Sequence, residues 1–304
     1  MTVPTKSPHD RAVQMFVAAT PPVGAPISQW REGFEALCAD FVLPTDADVV
    51  PLDLGGVPAL RITAPGSDPT NVVLHFHSGG YVEGSAKGYR EFAYRLSAAT
   101  GTPVIVIDYR LAPEFMYPAP IEDAVASYQA LLADYPSTNI VLTGDSVGGA
   151  MVIAALMLIR DERISPPAAG VSICGNMDLA GETASFDTNS ARDPLIDRHM
   201  VVEVGKVYIG DLGPKQTPLA SPLYGDHHDL PPLLLLASDS EVLRDGSVVL
   251  GERVRAAGGS AVVVLEPDMV HIWTLFPFLP EAAKSMSQIG AFVRSSLLSS
   301  RVAS

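Results

Sequence analysis

The stretch Asn139-Ile140-Val141-Leu142-Thr143-Gly144-Asp145-Ser146-Val147-Gly148-Gly149 is an apolar run that ends in Gly-x-Ser-x-Gly and leads directly into a second apolar run from Ala150. A run of strand length, a tight turn and a run of helix length describe a strand-turn-helix unit with Ser146 in the turn. Backbones must pass close together at the flanks of such a turn, where a Cβ would collide, and Gly144 and Gly148 stand there. The serine hydroxyl is left exposed at the end of a strand, with the first N–H groups of the helix pointing at whatever it attacks. Ser146 is therefore the candidate nucleophile.

The chain on either side extends this pattern. Short apolar runs punctuated by Gly and Pro fall at 48–54, 59–64, 71–76, 103–107, 140–143, 169–173, 233–237 and 261–265. Helical stretches fall at 88–99, 120–134, 146–160, 246–257 and 281–298. Strands alternating with helices predict a mostly parallel central sheet flanked by helices, an α/β fold. Two segments lie outside this alternation. Residues 1–45 carry helical patterns broken at Thr20-Pro21-Pro22-Val23-Gly24, with Trp30, Phe34, Leu37 and Phe41 on one face. The stretch 180–225 is irregular and reads as an excursion between strands. A single domain over 1–304 is expected, with a helical cap built from about 1–45 and 180–212 lying over the serine.

Composition narrows the partners. The net charge is -14 and no Lys/Arg cluster interrupts it, so a nucleic-acid partner is not expected. The most apolar run, 150–159, is about half of the roughly 20 residues that span a bilayer, and reads as a buried helix. Residues 1–6 contain no apolar core of a signal peptide, and Cys38 and Cys174 form no disulfide framework. A soluble cytoplasmic protein with no membrane partner is expected; a homodimer is left open.

A serine nucleophile needs a base, a group to orient that base, and donors for the oxyanion. In α/β-hydrolases the chain order is serine, acid, histidine. His271 follows the last strand by a few residues and is the candidate base, whereas His199, His227 and His228 fall in irregular segments and read as surface residues. Three carboxylates follow the strand at 233–237. Asp245 opens the next helix and suits a first-turn acid; Asp239 suits a turn residue; Glu241 has the reach. The loop His77-Ser78-Gly79-Gly80-Tyr81 follows a strand and offers bare backbone donors, with the N–H of Val147 as a third. His75 and His77 share a strand face, but no third ligand is spaced to complete a metal site, so no metal is expected.

With these residues in view, the chain resembles the hormone-sensitive lipase family of α/β-hydrolases, the bacterial family IV esterases. The family's HGGG loop matches His77-Ser78-Gly79-Gly80, and its GDSAGG elbow matches Gly144-Asp145-Ser146-Val147-Gly148-Gly149. Its YRLAPE segment stands unchanged as Tyr109-Arg110-Leu111-Ala112-Pro113-Glu114. The acid motif Asp-Pro-Leu-Arg-Asp aligns with Glu241-Val242-Leu243-Arg244-Asp245, so the resemblance implies that Glu241 orients His271. Three departures stand out: Ser78 replaces a glycine, Glu241 replaces an aspartate, and Cys174-Gly175-Asn176-Met177-Asp178-Leu179 stands where the family often has Ser-Pro-Trp-x-Asp-Leu. Residues 189–196 and 221–223 also resemble a branch of monoterpene ε-lactone hydrolases.

The resemblance implies a carboxylesterase on small ester substrates, without a cofactor, acting through Ser146, His271 and Glu241, with the N–H groups of Gly79, Gly80 and Val147 as oxyanion hole. Tyr81, Asn176, Phe186 and Trp273 are the expected pocket residues. The same machinery suits lactones or amides. A non-catalytic ligand receptor is the reading from another class, since the plant gibberellin receptor resembles this family while lacking the histidine; here His271 is present.

Overall fold

The structure is a computed structural model that describes residues 7–22 and 24–303. Residues 1–6 and Val23 of the expected cap, and Ser304, lie outside the described residues. The first two strands, Asp48–Leu54 (β1) and Val57–Thr63 (β2), form an antiparallel hairpin. The next five are Val72–Phe76 (β3), Val104–Ile107 (β4), Ile140–Asp145 (β5), Ala169–Ile173 (β6) and Leu233–Ser238 (β7), each buried along its whole length. Burial on both faces is what continuous apolar runs, rather than alternating ones, imply. Ala261–Glu266 (β8) closes the sheet, whose order is β1-β2-β4-β3-β5-β6-β7-β8. The pairs β1·β2 and β2·β4 are antiparallel and all others parallel. This is the α/β-hydrolase fold expected from the sequence.

The helices divide between the two faces. Ala119–Leu131 (α4), Val147–Asp161 (α5) and Arg244–Ala256 (α8) share one apolar core. Arg90–Thr100 (α3) and Pro280–Ala303 (α9) belong to the other, on the opposite side of the sheet. Nearly every residue of α5 is buried, so the apolar stretch after Ser146 is a core helix.

The two segments outside the alternation approach the carboxyl ends of the parallel strands from opposite faces. At the N-terminus, Pro8–Ala19 (α1) opens with a reciprocal cap between Ser7 and Asp10, and Ile27–Ala39 (α2) follows. Phe16 and Phe41 pack on Phe276, and Phe34 on Tyr89, joining the core of α3 and α9. The excursion between β6 and β7 is more regular than its composition suggests. It holds a short helix, Ser185–Thr188 (α6), and a three-turn helix, Arg198–Ile209 (α7), which joins the other core. Asp197 caps α7 by accepting the Met200 N–H at 2.7 Å, and Gly210, at φ 61°, ends it. Both signals stand in the sequence, and between them Val201, Gly205, Tyr208 and Ile209 share the buried face.

Candidate active site

Ser146 sits between β5 and α5 at φ 54° and ψ -122°, a conformation that costs a non-glycine residue on the order of 1–3 kcal/mol. The surroundings impose it. Ser146 donates its N–H to Ile173 O at 2.8 Å, and its carbonyl accepts the Asn176 N–H at 3.1 Å. A Cβ on Gly144 would overlap the Gly148 carbonyl, and one on Gly148 would overlap that of Phe76. The glycines of the motif are therefore demanded by the close approach of β5, α5 and β3.

His271 and Glu241 meet the serine from loops after β8 and β7. His271 Nε2 lies 3.0 Å from Ser146 Oγ, and His271 Nδ1 lies 2.8 Å from Glu241 Oε2. Both side chains are buried. An ionised carboxylate only accepts, so Nδ1 carries the imidazole proton and Nε2 is free to accept one from the serine. Burial lowers the His271 pKa, but the hydrogen bond and charge of Glu241, with the charges of Asp193 and Asp145, outweigh it and hold the imidazole above its ordinary value. Asp239 points away, paired with Arg192 at 3.1 Å and accepting the Asp268 N–H. Asp245 lies in the first turn of α8 beside Arg244. Of the three carboxylates, Glu241 is the one that reaches His271.

Contacts that the sequence did not suggest hold Glu241. Its Oε1 accepts the Ser238 N–H at 2.8 Å. Asn189 Nδ2 donates to the carbonyls of Asp239 and Glu241, and Asp193 accepts the Val242 N–H at 2.9 Å. Cys174 Sγ accepts the Ile272 N–H. Among the described residues, the cluster with ligand atoms spaced to hold a metal ion is Cys174, Glu241 and His271, within 4.8 Å of one another. In it the His271 Nδ1 and Glu241 Oε2 are already engaged with each other. His75 and His77 do not converge: His75 Nδ1 meets Thr143 Oγ1, while His77 Nδ1 donates to Ser78 O.

The loop after β3 lies beside the serine. Gly79 and Gly80 have φ 117° and 62°, and a Cβ on Gly79 would run into Glu83 O. The N–H groups of Gly79, Gly80 and Val147 have no acceptor among the described residues, and all three residues line the cavity that Ser146 faces. His77 braces the loop, stacked on Tyr109 at 4.2 Å, and burial pushes its imidazole down to about 4, so it is neutral. Ser78 Oγ lies 2.6 Å from the Tyr89 hydroxyl, which donates to Asp145. The Tyr109–Glu114 segment ties these parts together: the Tyr109 hydroxyl donates to His77 O, and Arg31 of α2 donates to Ala112 O and Glu114.

The cavity is open in part to solvent. Phe16, Trp30 and Phe34 line it from the N-terminal segment, and Leu195, Met200 and Val204 from the excursion. Asn176 lines it as expected, with its side-chain oxygen unpartnered. Tyr81, Phe186 and Trp273 are buried outside the lining. Tyr81 stacks on Tyr208 at 3.7 Å, Phe186 lies beneath Arg198, and Trp273 donates its indole N–H to Ser285. Being apolar and near a motif is equally the signature of core, and for these three the core wins. His227, expected at the surface, is buried, with its Nε2 on Pro222 O. Glu83 lines the cavity and was not singled out from the sequence.

Residues 73–275 match a protein family described by the alpha/beta hydrolase fold. An acetyl-hydrolase of Streptomyces hygroscopicus is 37% identical, the match covering 76% of this chain and 77% of that protein. A carboxylesterase/phospholipase, LipF, of Mycobacterium tuberculosis is 31% identical over 80% of this chain and 68% of its own. The solved structure of an esterase from the bacterial hormone-sensitive lipase family superposes with a TM-score of 0.93 at 39% identity, covering 96% of this chain and 99% of that one.

Proposed function

Since the chain belongs to the α/β-hydrolase family, among the carboxylic ester hydrolases of the hormone-sensitive lipase group, we propose that it cleaves esters through a Ser146–His271–Glu241 triad and an acyl-enzyme. Ser146 Oγ attacks the ester carbonyl as His271 Nε2 takes its proton, and Glu241 stabilises the imidazolium that forms. The N–H groups of Gly79, Gly80 and Val147 receive the oxyanion. His271 returns the proton to the leaving alkoxide, and water then releases the acyl group by the same steps in reverse.

One observation carries this reading: the unbroken line from Ser146 Oγ through His271, at 3.0 Å and 2.8 Å, to Glu241, beside three N–H groups without acceptors among the described residues. Donors left bare at a nucleophile are costly unless they serve charge that appears only during reaction. Short to medium acyl esters, roughly C2 to C8, suit a cavity walled by Phe16, Trp30, Phe34, Leu195, Met200 and Val204. Rapid mixing with p-nitrophenyl butyrate tests the mechanism. A burst of p-nitrophenol equal to the enzyme, absent in Ser146→Ala, is expected; a Ser146→Ala protein that turns over normally overturns the proposal.

A further inference from the structure

Glu83 is, among the described residues, the one acidic side chain in the cavity lining. It follows the oxyanion loop, donates its N–H to Gly79 O at 3.0 Å, and packs its Cγ against Gly79. No donor among the described residues reaches its carboxyl. Arg31 is close enough to influence it, but its Nε and both Nη atoms are committed to Val82 O, Ala112 O and Glu114. Much of the remaining wall is apolar, including Val82, Met200, Val204 and Leu243, with the rings of Phe16, Trp30 and Phe34.

Half-buried in such a wall and without a protein donor, the carboxyl is poorly solvated and free to pair with what enters the cavity. It also stands beside the loop proposed to hold an oxyanion, where its ionised form would repel the charge that develops unless a cation balances it. A cation relieves both problems. Aromatic rings bind a poorly hydrated ammonium through their faces, and the net charge of -14 draws cations towards the protein. We propose that Glu83, with Phe16, Trp30 and Phe34, forms a subsite for a positively charged ammonium group on the ester substrate. This rests on the serine-esterase reading and names its substrate class. Burial holds the Glu83 carboxyl up to about 8 against the opposing charge of Arg31, so the empty cavity presents a neutral acid. An arriving cation displaces its proton to solvent.

The test compares butyrylthiocholine with S-(3,3-dimethylbutyl) thiobutyrate, which has the same shape with carbon in place of the charged nitrogen. The wild-type protein is expected to favour the cation in kcat/KM by at least about tenfold, and Glu83→Gln to bring the ratio close to one. As a measurement that needs no variant, tetramethylammonium should inhibit p-nitrophenyl butyrate hydrolysis competitively, whereas neopentyl alcohol at the same concentration should not. A wild-type ratio near or below one, a ratio that Glu83→Gln leaves intact, or equal inhibition by the two additives overturns the proposal. Failure to hydrolyse p-nitrophenyl butyrate at all would instead remove the esterase reading beneath it.

Discussion

At the scale of single residues, the site depends on groups whose identity can be read from sequence but whose contacts cannot. Ser146 and His271 follow from motif and chain order. The choice among Asp239, Glu241 and Asp245 does not, because all three stand within a few residues of one strand end and only the loop's path decides which points inward. Glu241→Gln should therefore cost far more kcat than Asp239→Asn, whose carboxylate pairs with Arg192 at 3.1 Å; steady-state kinetics on one ester ranks them. Ser146→Ala should lower kcat/KM by at least about 10³-fold in a folded protein. The histidine also sets a pH dependence. The proposed mechanism needs neutral His271, and its pKa is raised, so kcat/KM should rise with pH along a limb lying above the ordinary imidazole value of 6.5. Glu241→Gln removes a contribution that raises this pKa and leaves the burial that lowers it. The limb in that variant should move to lower pH, which a pH profile of the residual activity would reveal.

At the scale of elements, the loop after β3 is the most constrained piece of backbone. Gly79 combines φ 117° with a Cβ position that overlaps Glu83 O, so Gly79→Val should lose about two orders of magnitude in kcat. Ser78 is different. It lines the cavity, but its hydroxyl is paired with that of Tyr89, so Ser78→Gly should keep most of the activity while losing about 1 kcal/mol of stability, read from the denaturation midpoint. The strands were legible because continuous apolar runs bounded by Gly and Pro have few other interpretations. Helix α7 was not, although its buried Val201, Gly205, Tyr208 and Ile209 fall at helical spacing, because the stretch around it is rich in Gly, Pro and charged residues and its packing on Tyr81 and Leu179 is long-range. Trp30 and Phe34 were rightly grouped on one face, yet the sequence could not separate Phe34, which is buried in the core and also reaches the cavity, from Leu37, which is core alone.

For the whole molecule, the partly open cavity between the N-terminal helices and the excursion should favour C2 to C8 acyl chains over long-chain triglycerides, without activation at a lipid interface. A p-nitrophenyl ester series of increasing length measures this, and a profile still rising beyond C12 would contradict it. Among the described residues no helix is long and apolar enough to cross a membrane. The architecture was readable in advance because alternation of strand and helix leaves few topologies. The enclosure was only half readable, because which face of the sheet each extra segment climbs depends on long-range contacts such as Phe16 on Phe276. The excursion has a double attachment: Asn189 and Asp193 fasten the loop that carries Glu241, and only a few residues later Leu195, Met200 and Val204 form the cavity wall. In the proposed mechanism, selectivity and turnover are thereby written on one continuous ribbon. Anyone recruiting this scaffold for bulkier substrates would do well to graft beyond Asp193 and leave its anchor untouched, because an exchange spanning the whole ribbon would loosen the proton relay while it widens the entrance.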